Sequence, residues 1–284
     1  MNVALVDIMA NFGTSASTAQ WLVTGYMMVT TVVVAISAYL YRRLGLRRSF
    51  FLGVFFLTVG SMATVFAPPF MFLLICRLIQ AVGTGIFIPT MMITFGPAFG
   101  PVVSGLMVTV FGWHTIFLPV LAVVLILGIV GLITVHDVGE RESLHLDVLS
   151  VILLTIGLVC FVYGLSEITA RPVVAAAISL LGLGVMAVFV RRQFVVSNPV
   201  LNLEPMRSIR FWPSAILVIV AMMRTFSLSV LLPLYFQGAL EMTALAAGAL
   251  LLVPILVNAA TAVVGGKVMD SRGPWPLLAV GFGS

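Results

Sequence analysis

Val148-Leu149-Ser150-Val151-Ile152-Leu153-Leu154-Thr155-Ile156-Gly157-Leu158-Val159-Cys160-Phe161-Val162-Tyr163-Gly164-Leu165 runs for eighteen residues without a charge. Wound as an α-helix, such a stretch reaches about 27 Å, close to the roughly 30 Å of a bilayer's hydrocarbon core. Backbone polar groups in lipid are satisfied only by helices or closed barrels. A barrel strand alternates apolar and polar residues, and here the apolar residues follow one another without alternation. The run predicts a membrane-spanning helix.

The same reading extends outward. Ser214–Val230 is a second such run, broken only by Arg224. Over the whole chain 62% of residues are hydrophobic, 8% are charged, and the mean hydropathy is +1.24. Soluble domains carry about 25% charged residues, so this chain lacks the polar surface to stay in water. Nine full-length spans are predicted, near 20–41, 50–67, 70–91, 92–112, 116–135, 147–167, 172–190, 212–233 and 241–266. Met1–Phe12 and Pro276–Ser284 are too short to span, and both ends look cut. The start lacks a basic region, and Asp7 interrupts its apolar stretch, which argues against a signal peptide.

Charge placement orients the spans. The connectors Arg42–Arg48, His136–Asp147, Arg191–Arg210 and Lys267–Arg272 hold eleven of the fourteen basic residues, and the alternate connectors hold only Arg171. Basic loops stay in the cytoplasm, so the first set is assigned there. This parity requires Phe70–Gly112 to cross twice, with Met91–Gly96 turning between the spans. The net charge of +5 therefore reads as a topology signal and not as a nucleic-acid surface.

Soluble chemistry is poorly represented. Cys76 and Cys160 lie inside apolar runs, far apart in sequence, which excludes a disulfide framework and a cysteine zinc site. His136, Asp137, Glu140, Glu142, His145 and Asp147 crowd one connector without metal-ligand spacing and read as a solvated loop. Gly265-Gly266-Lys267 lacks the remaining residues of a phosphate loop. No metal, no cofactor and no enzyme are predicted; a membrane-embedded enzyme has no nucleophile set to stand on.

Several ordered motifs carry a resemblance. Asn2-Val3-Ala4-Leu5-Val6-Asp7-Ile8 is followed by Gln20-Trp21-Leu22-Val23-Thr24-Gly25-Tyr26. Ala38-Tyr39-Leu40-Tyr41-Arg42-Arg43-Leu44-Gly45-Leu46-Arg47-Arg48 comes next, then Arg77-Leu78-Ile79-Gln80-Ala81-Val82-Gly83-Thr84-Gly85. Gly96-Pro97-Ala98-Phe99-Gly100-Pro101 with Gly105, Leu232-Pro233-Leu234-Tyr235-Phe236-Gln237, and Gly266-Lys267-Val268-Met269-Asp270-Ser271-Arg272-Gly273 complete the order. Together they resemble the major facilitator superfamily, in particular its fourteen-span drug:proton antiporters of the EmrB/QacA type. The last motif repeats the 38–48 pattern, and two related halves are how such transporters are built.

The resemblance implies an all-α, polytopic transmembrane bundle with an incomplete second half. Residues 1–135 are expected to form the N-terminal bundle, 136–204 a cytoplasmic loop plus two linker helices, and 205–284 the start of the C-terminal bundle. Three departures are expected to bear on function: the family's acidic residue of the first helix would lie upstream of Met1, its fourth-to-fifth connector is missing between Met92 and Ile93, and the chain stops at Ser284 before most of the second six-helix bundle; in the 38–48 motif, Arg42 also stands where Asp is usual. The implied activity is export of drugs or other amphipathic or cationic small molecules against inward proton flow, by alternating access at an inner, cytoplasmic membrane. A non-transporting remnant is the alternative. The partners are a small-molecule substrate, protons and the lipid bilayer; a periplasmic adaptor is left open.

Residue roles follow from the motifs. Arg77, with Gln80, Gly83 and Gly85, is expected to modulate proton movement, since a charge inside a span faces a cavity or a partner. Gly96, Pro97, Gly100, Pro101 and Gly105 form the antiporter motif, where close helix approach and bending combine. Arg43, Gly45, Arg47, Gly266, Asp270 and Gly273 belong to the cytoplasmic gating loops. Trp21, Tyr26, Arg224, Tyr235 and Gln237 are assigned to the substrate path. For Trp21 an interfacial belt is an equal reading, and Arg224 is evenly open between path and structural hydrogen bonding.

Overall fold

A computed structural model describes residues 4–65, 69–88, 106–107, 113–136, 146–196 and 198–273. Nine α-helices are described: α1 (Leu5–Phe12), α2 (Ala16–Leu44), α3 (Leu46–Val65), α4 (Phe70–Phe87), α5 (Phe117–Thr134), α6 (Val148–Ser166), α7 (Pro172–Gln193), α8 (Phe211–Gly238) and α9 (Ala244–Arg272). Short 3-10 turns occupy Trp113–Ile116 and Glu204–Arg207. Seven of these helices, α2 to α8, are long and apolar enough to cross a membrane. The fold is an all-helical membrane bundle. Eight of the nine expected spans fall on helices; the span near 92–112 lies outside the described residues except for Leu106 and Met107, which are helical.

The chain divides into two compact units, one of Met1–Asp7, Ile93–Ile116 and Leu228–Ser284, the other of Ile8–Met92 and Phe117–Ser227. In the second unit α4 packs against both α2 and α3, α5 packs on α3, and α6 and α7 pair closely. Small residues bring these backbones together, as membrane helices without a hydrophobic driving force between them require. A β-carbon on Gly60 would lie 2.7 Å from the Gln80 backbone nitrogen, and one on Gly83 would lie 2.6 Å from the Gly53 carbonyl oxygen. A β-carbon on Gly85 would meet the Val33 β-carbon at 2.6 Å. Thus α4 is wedged between α3 and α2 at backbone distance.

The connector at 42–48 is shorter than the sequence suggests. α2 runs through Arg42 and Arg43 to Leu44, and α3 begins at Leu46, leaving Gly45 alone between them at φ +84°. Its amide donates to the Tyr41 carbonyl at 3.0 Å, and the buried Ser49 hydroxyl donates to the Leu40 carbonyl at 3.2 Å. These bonds satisfy the carbonyls of the last turn of α2, and the two arginines complement its dipole. The related stretch near the other end behaves alike. α9 continues through Lys267 and Asp270 to Arg272, and Gly273 follows at φ +76°. The expected loops are helix ends, each followed by a glycine in the positive-φ region.

α6 and α7 form a hairpin with interlocking small residues: Gly157 faces Gly182 and Met186, and Gly164 faces Ala175 and Ser179. Asp147 closes its basic end. Its carboxylate accepts from the Ser150 amide and hydroxyl at 3.4 and 2.6 Å, capping α6, and from Arg192 Nε and Nη2 at 2.9 and 3.0 Å. The Arg192 hydrogen bonds, helped by those from Ser150, hold the Asp147 carboxyl down at about 2. Gln193 donates to the Ser150 hydroxyl at 2.7 Å and accepts from the Leu201 amide at 3.1 Å, tying the following strap to the hairpin. Ala35 of α2 then packs with Leu154 and Phe189 in one buried cluster.

α8 differs from the rest. Between Phe211 and Leu228 almost every residue is exposed, Ile216 through Val220 included. An apolar helix bare on all sides is the kind of surface that a bilayer covers.

Candidate functional site

Arg77, Gln80 and Thr84 stand at i, i+3 and i+7 of α4, so helical geometry lines them along one face. Arg77 Nη1 donates to Gln80 Oε1. Gln80, 1% exposed, donates from Nε2 to the Ser61 hydroxyl of α3 at 2.6 Å. Gly60 permits this, because any larger residue would hold α3 away from the Gln80 backbone. Thr84 donates to the Gln80 carbonyl at 3.3 Å and shares a 2.6 Å hydrogen bond with the Tyr26 hydroxyl of α2. With the Thr84 proton committed, Tyr26 is the donor to Thr84.

The Tyr26 ring lies beneath the charge. The Arg77 guanidinium carbon is 4.1 Å from its centroid and 5.8 Å from that of Phe117. Among the described residues no carboxylate pairs with Arg77, and its buried Nε has no hydrogen-bond partner. A cation within a span costs roughly 2.5–3.5 kcal/mol on insertion scales. A desolvated cation–π contact returns about 2 kcal/mol and a hydrogen bond to a charged group about 1.5–3 kcal/mol. The amide and the ring therefore offset the burial of the Arg77 charge, which has no carboxylate partner among the described residues. The arrangement is a fixed positive charge beside polar groups from three helices.

The other residues assigned from sequence are dispersed. Trp21 packs on Tyr163 of the α6–α7 hairpin, with ring centroids 6.2 Å apart. Arg224 and Tyr235 are exposed on α8, and Gln237 is half-buried there. Arg43 reaches back to the Tyr39 hydroxyl, and Arg47 is exposed at the start of α3. Asp270 is exposed in α9, where Gly266 also falls. Gly96, Pro97, Gly100, Pro101 and Gly105 lie outside the described residues.

Sequence reasoning passed over Ser61, Thr84, Phe117 and Asp7. Thr84 was detectable as the residue one turn beyond Gln80; Ser61 and Phe117 carried no local signal. Asp7, which interrupts an apolar stretch and falls in the Asn2–Ile8 motif but has no role assigned to it from sequence, is half-buried in α1, and its Oδ2 is buried without a hydrogen-bond partner. Among the described residues three or more His, Cys, Asp or Glu side chains nowhere converge as for a metal ion.

Comparison with known proteins agrees with this architecture. The Major Facilitator Superfamily matches residues 1–94 and 90–284. The chain is 34% identical to the lincomycin resistance protein LmrB of Bacillus subtilis, over 99% of its own length and 64% of that protein. It is 32% identical to the uncharacterized MFS-type transporter YhcA of the same organism, over 99% of its length and 58% of the relative. It is 27% identical to the multidrug resistance protein B homolog of Mycobacterium tuberculosis, over 99% of its length and 57% of the relative. The chain thus spans about 60% of the length of these relatives. With a family match across its whole length and a bundle of apolar spanning helices, the chain belongs to the Major Facilitator Superfamily.

Proposed function

We propose that this chain acts in a secondary transporter of the fourteen-span EmrB/QacA type, which exports amphipathic or cationic small molecules in exchange for protons across an inner, cytoplasmic membrane. The observation that carries the proposal is the Arg77 charge, held by Gln80 and Tyr26 and paired with no carboxylate among the described residues. A residue that stays cationic in a low-dielectric site raises the energy of any second cation nearby. Substrate and proton then favour different states of the transporter, which is what exchange requires.

Proton coupling also needs a group that gains and loses a proton. Arginine does not deprotonate in proteins, so Arg77 biases the exchange and a carboxylate carries it. Asp7 is that carboxylate in this proposal, since its buried Oδ2 has no hydrogen-bond partner and can take up a proton. Alternation of access by rocking of two helix bundles completes the cycle. The relatives' names, lincomycin resistance and multidrug resistance, support a drug as the cargo.

The test is reconstitution of the chain in vesicles with an imposed pH gradient and a fluorescent cation as substrate. Gradient-driven export that Arg77→Ala abolishes supports the exchanger. A second reading is a shortened relative that does not transport, and the alignments support the shortening alone. These run over 302–314 positions against the chain's 284 residues, and the family match restarts at residue 90. Folded, inserted chain that moves no cation under the gradient selects this second reading.

A further inference from the structure

Ser61 is fully buried on α3, directly after Gly60. Because Gly60 has no side chain, α3 and α4 meet at backbone distance here; a β-carbon on Gly60 would lie 2.9 Å from both Cα and Cβ of Gln80. That approach brings the Ser61 hydroxyl to 2.6 Å from Gln80 Nε2, nineteen residues away in the chain. Neither residue reaches solvent: Ser61 is 0% and Gln80 1% exposed.

The two ends of an amide are unlike, one accepting and the other donating. Arginine only donates, so the Gln80 oxygen faces Arg77 and its nitrogen is turned to α3. There the Ser61 hydroxyl is the acceptor that Nε2 finds among the described residues. The bond from Thr84 goes to the Gln80 backbone carbonyl and places no constraint on the side-chain amide. Without the Ser61 oxygen, a buried N–H would be left with its full desolvation cost. The amide, carried on a flexible stem, would then gain by turning toward another acceptor, and its grip on Arg77 would loosen.

We propose that Ser61 is a positioning residue of the exchange site, acting through Gln80 to hold the Arg77 guanidinium over the Tyr26 ring. The proposal rests on the reading of Arg77 as the fixed charge of a cation/proton exchanger. Repulsion between charges falls with their separation, so Arg77 opposes a second cation consistently only while it stays in one place. Its other restraints are weak. Among the described residues its Nε has no hydrogen-bond partner, and the Tyr26 and Phe117 rings attract the charge without fixing its direction. A cation–π contact is satisfied anywhere within about 6 Å of the ring centre, whereas a hydrogen bond prefers a near-linear geometry. The hydroxyl on α3 therefore decides where the charge on α4 stands, although its own bond goes to Gln80 and not to Arg77.

Two measurements test Ser61, one of them without transport. Full-length chain carrying isotope-labelled glutamine gives side-chain amide signals in nuclear magnetic resonance from Gln20, Gln80, Gln193 and Gln237, and Gln80→Leu identifies that of Gln80. In wild type that signal should lie downfield and exchange slowly with water. Ser61→Ala should move it upfield, and Ser61→Thr should restore it. In vesicles with a pH gradient, Ser61→Ala should export a fluorescent cation roughly tenfold more slowly, the scale of one lost buried hydrogen bond. Ser61→Thr should recover the rate. Ser61→Cys, a weaker acceptor, should fall between, and it replaces the threonine variant if circular dichroism shows that the added methyl prevents folding. An unmoved Gln80 signal in Ser61→Ala overturns the proposal. So does an undiminished rate in Ser61→Ala when Arg77→Ala abolishes export, and the reading of Arg77 then stands. Wild-type chain that moves no cation, or Arg77→Ala that exports normally, overturns that reading and the proposal with it.

Discussion

The Arg77 guanidinium rests 4.1 Å from the centre of the Tyr26 ring, and the Tyr26 hydroxyl is bonded to Thr84, one turn beyond the Gln80 that holds Arg77 from the other side. The tyrosine therefore performs two separable tasks. Its ring screens the charge, and its hydroxyl ties α2 to α4.

Substitutions should separate these tasks. Tyr26→Phe keeps the ring and removes the bond to Thr84, so gradient-driven export should fall only severalfold, in line with one hydrogen bond of about 1 kcal/mol. Tyr26→Leu removes the π face and leaves the cation unscreened, and export should fall about as far as in Arg77→Ala. Export rates of a fluorescent cation from vesicles measure both. Equal rates in Tyr26→Phe and Tyr26→Leu would refute the role of the ring.

Packing at Gly83 admits a second prediction. A β-carbon there would sit 2.6 Å from a backbone carbonyl and 2.7 Å from the Leu57 amide nitrogen, neither of which can rotate away. Gly83→Ala should destabilise the fold by about 1–3 kcal/mol, the usual cost of overpacking. Gly184→Ala should be close to neutral, because nothing lies within 4 Å of its β-carbon position. Thermal unfolding in detergent, followed by circular dichroism, compares the pair.

Much of this arrangement was legible in sequence. Spans were readable because bilayer thickness imposes a length that apolar runs such as Val148–Leu165 must meet. Arg77 was readable because a charge is conspicuous in such a run. Gln80 was readable with it, but Ser61, which accepts from Gln80, and Phe117, beside the guanidinium, were not, because they arrive only through helix packing, which leaves no period in the chain. The 42–48 and 267–272 connectors were misjudged for a physical reason. Charge there suggested loops, but arginines also suit the last turn of a helix, and the turn itself needs only Gly45.

The Asp147–Arg192 latch gives a pH prediction. The Asp147 carboxyl is held at about 2, below the roughly 3.9 of an unfolded aspartate. A depressed carboxyl contributes stability that is fully present above the unfolded value and is lost as pH falls through the folded one. The α6–α7 hairpin should therefore hold its stability from neutral pH to about 4 and lose this contribution between about 4 and 2. Asp147→Asn should lack that acid step. Melting temperatures across this range, wild type against variant, measure it; parallel profiles would exclude the latch.

Asp7 supplies the most direct test of how proton and cargo are coupled. If its Oδ2 is the place where the proton binds, then Asp7→Asn fixes the site in a form that cannot release or accept one. Net export driven by a pH gradient should cease. Exchange of labelled for unlabelled substrate across the same membrane needs no proton movement and should continue, so the loss cannot be assigned to misfolding. Asp7→Glu keeps a titratable group one methylene longer and should retain part of the gradient-driven activity. Export in Asp7→Asn that still follows the pH gradient would assign the proton to another group and leave Asp7 as a structural residue of α1.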